Sequence, residues 1–199
     1  KQAELHIGHI RRQVESLGDM IFWDRDFRKL LQKKNTILYE QVEEFKIILN
    51  TLMNMEQNPK VYKVRLFVLD SKIYANNNQN IFPLSTLQGN HYFNIMMNDQ
   101  NKTGWTDCYT LASYDGRKEK VISYMLVLND FDNLGEIVGC LCIDVLEKEF
   151  STILNEIKVA DNSVALMINA EGKVLSNSQY SSARSGDISN IFSSYLENR

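Results

Sequence analysis

The apolar residues of this chain change period near Pro59, and that change limits what the chain can fold into. Before it, Ala3, Ile7, Ile10, Val14, Leu17 and Ile21 recur at spacings of four and three, and Leu38, Val42, Phe45, Leu49 and Leu52 repeat the pattern. This is a heptad seam, the spacing of coiled coils and long packed helices. After it, Tyr62, Val64, Leu66 and Val68 alternate with Val61, Lys63, Arg65, Phe67 and Leu69, which is the period of a strand. Long helices followed by a run of strands make the expected class α+β, with the first helix's stripe packed on the sheet, on a twin helix, or on both.

The first helix runs from the start to about residue 23. It is a rod of about 33 Å at 1.5 Å per residue. After a break at Trp23-Asp24, Asp24 can cap a short helix through Phe27, Leu30 and Leu31. A second break covers residues 32 to 36, and a second long helix runs from about Ile37 to Met55, stopped by Pro59. The strand pattern then places Val61 to Leu69 in a strand and Lys72 to Ala75 in a short returning one. Leu84 to Met97 reads as helical, Trp105 to Leu111 as a strand, and Asp115-Gly116 as the hairpin turn before Val121 to Leu128. A further unit starts near Asp161, with a hairpin over 163 to 177, a Ser-rich loop and a helix capped by Asp187. It is too short to close a core of its own. The expected division is therefore a helical region over 1–58, a sheet domain with its linking helix over 59–159, and an incomplete lobe over 160–199.

Composition excludes some functions. The net charge of −3 does not suit nucleic acid, and three cysteines do not make a disulfide framework. His6 and His9 have ligand spacing on a helix, but no third ligand lies nearby in sequence, so no metal or cofactor is expected. Catalytic Ser/His/Asp patterns, phosphate loops and zinc-protease motifs are absent, so the segment is not read as an enzyme. There is no apolar run of membrane-spanning length and no signal peptide pattern, and the chain does not begin with Met. It reads as a segment of a longer protein.

The stretch from Gly135 to Phe150 passes from a strand directly into a helix and carries one acid, Asp144, inside its apolar run. Asp144 shares a face with Val138, Cys140 and Cys142, where a carboxylate is costly unless paired. Its partner is either a ligand amine or hydroxyl, or a group of the protein itself. Trp105, Tyr109 and Tyr124 combine apolar rings with polar tips, and suit either a pocket wall or half-buried sheet packing. Arg65, among apolar strand neighbours, suits an anionic ligand or an internal acid.

This order of elements, with Gly139-Cys-Leu-Cys-Ile-Asp144-Val145 closing the sheet and Val121-Ile-Ser-Tyr-Met-Leu126 before it, resembles the extracellular Cache sensor domain. The resemblance implies long N-terminal helices packed on a PAS-like five-stranded antiparallel sheet, followed by a truncated membrane-proximal lobe. It is similar above all to sensor regions of Gram-positive membrane histidine kinases, with a chemoreceptor sensor as a second form. It implies an extracellular, membrane-tethered domain that binds a small molecule and forms a homodimer through its N-terminal helix. By position the resemblance carries over Trp105, Tyr124 and Asp144, and Tyr109 and Arg65 join them in the expected ligand-binding set on their own residue types. The middle strand, Thr103-Gly-Trp105-Thr-Asp107-Cys-Tyr109, carries the family's Trp but not the Arg before it or the Tyr after it. A non-sensing dimerisation or docking module is the rival reading.

Overall fold

Helix α1 (Gln2–Trp23) buries Ile10, Val14, Gly18 and Ile21, a stripe drawn from the predicted seam and widened by a glycine. In the computed structural model, residues 2–33, 37–76, 79–100, 102–113, 115–133, 135–157 and 164–178 are described. Asp24 caps α2 (Arg25–Gln32) by accepting from the Phe27 N–H. Arg28 then ties the start of α2 to the sheet end, donating to the carbonyls of Phe22 and Asn129 and stacking 3.7 Å from the Phe131 ring centre.

Helix α3 (Leu38–Glu56) departs from its seam. It buries Gln41, Glu44, Ile48, Leu52 and Met55, and leaves Leu38 and Val42 exposed. The helix is rotated because two of its polar residues have work inside. The Gln41 Oε1 accepts from the Ile73 N–H at 2.9 Å, and Glu44 accepts from the Lys72 Nζ at 3.0 Å. Lys72 also donates to the carbonyls of Leu30 and Lys33. Buried polar groups with satisfied partners can hold positions that periodicity assigns to apolar residues.

The sheet contains β1 (Lys63–Val68), β2 (Ile81–Pro83), β3 (Thr103–Trp105), β4 (Tyr109–Ala112), β5 (Lys118–Asn129) and β6 (Ile137–Leu146). Its order is β2-β1-β6-β5-β3, and β4 also pairs with β5. Because β3 and β4 lie end to end along β5, they fill one strand position, interrupted at 106–108. All pairings are antiparallel except β1 with β2. That parallel pair corrects the expected return strand at 72–75. There the backbone N–H groups of Lys72, Ile73 and Ala75 are taken by the Leu69 carbonyl, Gln41 and the Lys72 carbonyl. They are not free to pair with β1, and the chain completes a turn before joining it from Ile81.

A 3-10 turn (Leu84–Leu87) and α4 (His91–Asn98) follow β2. Helix α5 (Glu147–Glu156) leaves β6 without an intervening loop. Two compact units result, over residues 1–149 and 150–199. In the second, β7 (Leu166–Ile168) and β8 (Val174–Asn177) form an antiparallel hairpin with Gly172 at φ +80°, a value that favours glycine. The helix expected from Asp187 lies outside the described residues.

The two faces of the main sheet differ. Register places Val64, Ile143, Tyr124 and Trp105 in one row across β1, β6, β5 and β3, and Lys63, Asp144 and Ser123 in the adjacent row on the opposite face. The first face meets α1, whose Gly18 stands against the Tyr124 ring. On the second face, Phe67, Met125, Val127, Cys140 and Cys142 pack with Leu87 and Met96 from the 3-10 turn and α4. This apolar cluster covers one end of the second face, and the other end carries the candidate site.

Candidate functional site

Asp144 is completely buried, and its partners belong to the protein. Arg65 meets it side-on, with Nε to Oδ2 at 2.7 Å and Nη2 to Oδ1 at 2.8 Å. The Ser123 hydroxyl donates to Oδ1 at 2.5 Å. Arg65 Nη2 also donates to the Tyr109 hydroxyl at 2.5 Å, and that hydroxyl lies 2.7 Å from Ser123 Oγ. Four residues from β1, β4, β5 and β6 thus form one charge-assisted network. Asp144 and Ser123 are directly paired across β6 and β5. Arg65 reaches them from the next row of β1, and Tyr109 from β4, where its register partner is Val121.

The electrostatics follow from burial. Removal from water alone would lower the Arg65 pKa, but the Asp144 charge and its hydrogen bonds outweigh this and raise it. Burial, and then the same carboxylate, pushes the Tyr109 phenol up, with Arg65 opposing. Arg65 therefore stays cationic and Tyr109 stays neutral across the physiological range.

Beside the network lies a cavity of about 590 Å³, walled by Tyr62, Lys63, Arg65, Phe67, Phe82 and Leu111 and bordered by Ser113, Asp115 and Arg117 of the β4–β5 hairpin. Its volume falls in the range of small-molecule sites. One wall is apolar, with the Phe67 and Phe82 rings 5.5 Å apart. Elsewhere the charges are matched. Glu56 accepts from the Val64 N–H at 2.8 Å and the Asn80 amide at 2.7 Å, with Lys63 Nζ 3.4 Å away. Asp115 holds Arg117 at 2.6 Å.

The structure divides the expected site. Arg65, Tyr109 and Asp144 come together, and only Arg65 of these lines the cavity. Asp144, expected as a ligand contact, has its oxygens bonded by Arg65 and Ser123. Trp105 and Tyr124, expected as pocket walls, lie on the α1 side of the sheet. Their rings lie 5.5 Å apart, and Trp105 Nε1 donates to Glu15 Oε1 of α1 at 2.8 Å. Burial raises the Tyr124 phenol as well. The division has two causes. Tyr124 is one residue past Ser123, which faces Asp144, and the break at 106–108 puts Tyr109 on the opposite face from Trp105.

Ser123, Tyr62, Phe82, Leu111 and Ser113 were not anticipated. Ser123 had a readable signal, as the hydroxyl residue inside the apolar run Val121–Leu128, matching Asp144 inside its own run. Tyr62 stands just before β1, and Phe82, Leu111 and Ser113 are brought to the cavity by β2 and the hairpin, which only pairing defines.

Among the described residues, no three His, Cys, Asp or Glu side chains are grouped to hold a metal, and no helix is long and apolar enough to cross a membrane. Cys108, Cys140 and Cys142 form no disulfide. The side-chain hydrogen bond with Cys142, and then burial, raise Cys140, which suits a packing residue rather than a nucleophile.

No family model matches the sequence, and no curated protein matches it. Solved structures do match its fold. The periplasmic sensory domain of the Campylobacter jejuni chemoreceptor Tlp1 superposes with TM-score 0.59 at 12% identity, over 89% of this chain and 68% of that one. The ligand-binding domain of the Pseudomonas aeruginosa amino-acid chemoreceptor PctC, in complex with GABA, gives TM-score 0.52 at 12% identity, over 87% and 70%. The extracellular domain of a proposed histidine kinase gives TM-score 0.52 at 11% identity, over 86% and 63%. The chain thus has the α+β fold of these Cache-like sensory domains.

Proposed function

We propose that this chain is the extracellular ligand-sensing part of a membrane receptor, and that it takes a small molecule into the cavity beside Arg65. The observation that carries the reading is the cavity itself, of about 590 Å³, set on an ion-paired arginine held in place by three further side chains. A preorganised polar group beside an apolar wall is the general form of a small-ligand site. The fold shared with chemoreceptor and kinase sensory domains supports the same reading.

The output domain in this proposal is a two-component histidine kinase, with a chemoreceptor as the second form. Binding favours one arrangement of the sheet against α1, and α1 carries the signal toward a membrane segment outside this chain. A homodimer through α1 uses what the sheet leaves exposed on that helix, including Leu5 and Met20. A ligand shifts such an equilibrium only by its differential affinity for the two states.

The test is a thermal-shift screen of small metabolites against the full chain. A sensing domain shows a concentration-dependent rise in melting temperature with some compound, and Leu111→Asp at the cavity wall abolishes that rise. If no compound stabilises the protein, or if the variant responds as wild type does, the cavity is not the site.

A further inference from the structure

The guanidinium of Arg65 is only partly used. Its Nε and Nη2 donate to Asp144 and Tyr109, and Nη1 has no partner among the described residues. The Arg65 side chain is 15% exposed while that of Asp144 is 0% exposed, so the pair presents its cation to the cavity and hides its anion. The two other acids of the wall already face cations, Glu56 at Lys63 and Asp115 at Arg117. Next to Arg65 stand the Phe67 and Phe82 rings, and the Arg65 carbon Cζ lies 5.7 Å from the Phe67 ring centre.

From this asymmetry we infer that the ligand is an organic carboxylate with an apolar, ring-sized body and no ammonium group, its carboxylate on Arg65 Nη1 and its body against Phe67 and Phe82. This rests on the sensing reading above and narrows it to one ligand class. A carboxylate gains charge-assisted bonds from Nη1 that an amide matches only weakly. An ammonium next to Arg65 meets a like charge, and the carboxylate that could offset it is sealed behind the arginine. An amino acid therefore loses on its amine part of what it gains on its carboxylate.

Titration calorimetry of the full chain at pH 7 with four matched probes tests this: 3-phenylpropionate, 3-phenylpropanamide, 3-phenylpropylamine and phenylalanine. The expected order is 3-phenylpropionate at least tenfold tighter than the amide and phenylalanine, and no measurable heat with the amine. Arg65→Lys keeps the charge but removes Nη1, and is expected to weaken 3-phenylpropionate tenfold or more. Because that variant disturbs a buried pair, Leu111→Asp provides a second arm. It adds a negative charge to the wall without touching the network, and is expected to reverse the preference between 3-phenylpropionate and 3-phenylpropylamine. Phenylalanine or the amine binding as tightly as 3-phenylpropionate overturns the carboxylate class and leaves sensing intact. The same holds if none of the four binds while the thermal screen selects a compound without a carboxylate. If nothing in either experiment binds, the sensing reading fails and this inference with it.

Discussion

Asp144 is chemically prominent because its buried carboxylate is satisfied by groups of the protein itself. Its carboxylate is enclosed by Arg65 and Ser123, so truncation leaves a buried guanidinium without its counter-charge. Asp144→Ala is expected to cost about 3–5 kcal/mol, whereas the double change Arg65→Met with Asp144→Leu, which removes both charges, recovers most of that loss. Urea unfolding of the three proteins measures this. Equal loss in the single and double variants would mean that the pair is not coupled as described. Tyrosine ionisation gives a second residue-scale expectation. Burial and the charges of Asp144 and Glu44 raise the Tyr109 and Tyr74 phenols above the ordinary value. In the unfolded chain they ionise near pH ~10. There the unfolded state binds fewer protons than the native state, so stability is full below pH ~10 and falls as pH rises beyond it. Absorbance at 295 nm should show tyrosines that ionise together with unfolding. A titration in which all tyrosines ionise in the native protein near pH ~10 would refute it.

At the scale of elements, the contact between α1 and β5 is tight at one point. A Cβ on Gly18 would lie 2.7 Å from Tyr124 Cε1, in a ring that is 6% exposed and stacked on Trp105. Gly18→Ala gains up to ~1 kcal/mol of helix propensity but forces this contact open at about 1–3 kcal/mol. The expected net effect is a loss of about 1 kcal/mol, seen as a fall of a few degrees in melting temperature. A rise would show that α1 is free to shift from the sheet. Elements also mark where the sequence was legible. The heptad seam of α1 and the alternation of β1, β5 and β6 gave helices and strands close to those observed, because each element has its own period to read. The seam of α3 misled, because Gln41 and Glu44 are buried by partners from the turn at 70–76, which no local pattern reveals. The parallel strand β2 was missed for a related reason, since three residues carry too little alternation to recognise.

For the molecule as a whole, the sheet is the plate between site and helix. Ser123 belongs to the Arg65 network and Tyr124, the next residue, packs on α1, so β5 links the two faces in one step. Trp105 extends that link through its bond to Glu15. Amide hydrogen exchange with the compound that the thermal screen selects should therefore slow in β5 and around Glu15 to Gly18, with little change in α3. Protection confined to the cavity wall would exclude α1 as the route of the signal.

The sequence by itself determined the class of fold, the long helices and the long strands β1, β5 and β6, and the need to pair an acid set among cysteines and valine. These are properties of periods and of single buried charges, which are local. Only the tertiary structure decided which partner that acid takes. Strand register places Ser123 opposite Asp144 and Arg65 one row away, and a shift of one residue would send Ser123 to the other face and bring Tyr124 in its place. Register depends on contacts between segments up to about eighty residues apart, so the pairing of Asp144 with Arg65 could be seen only once the sheet was assembled.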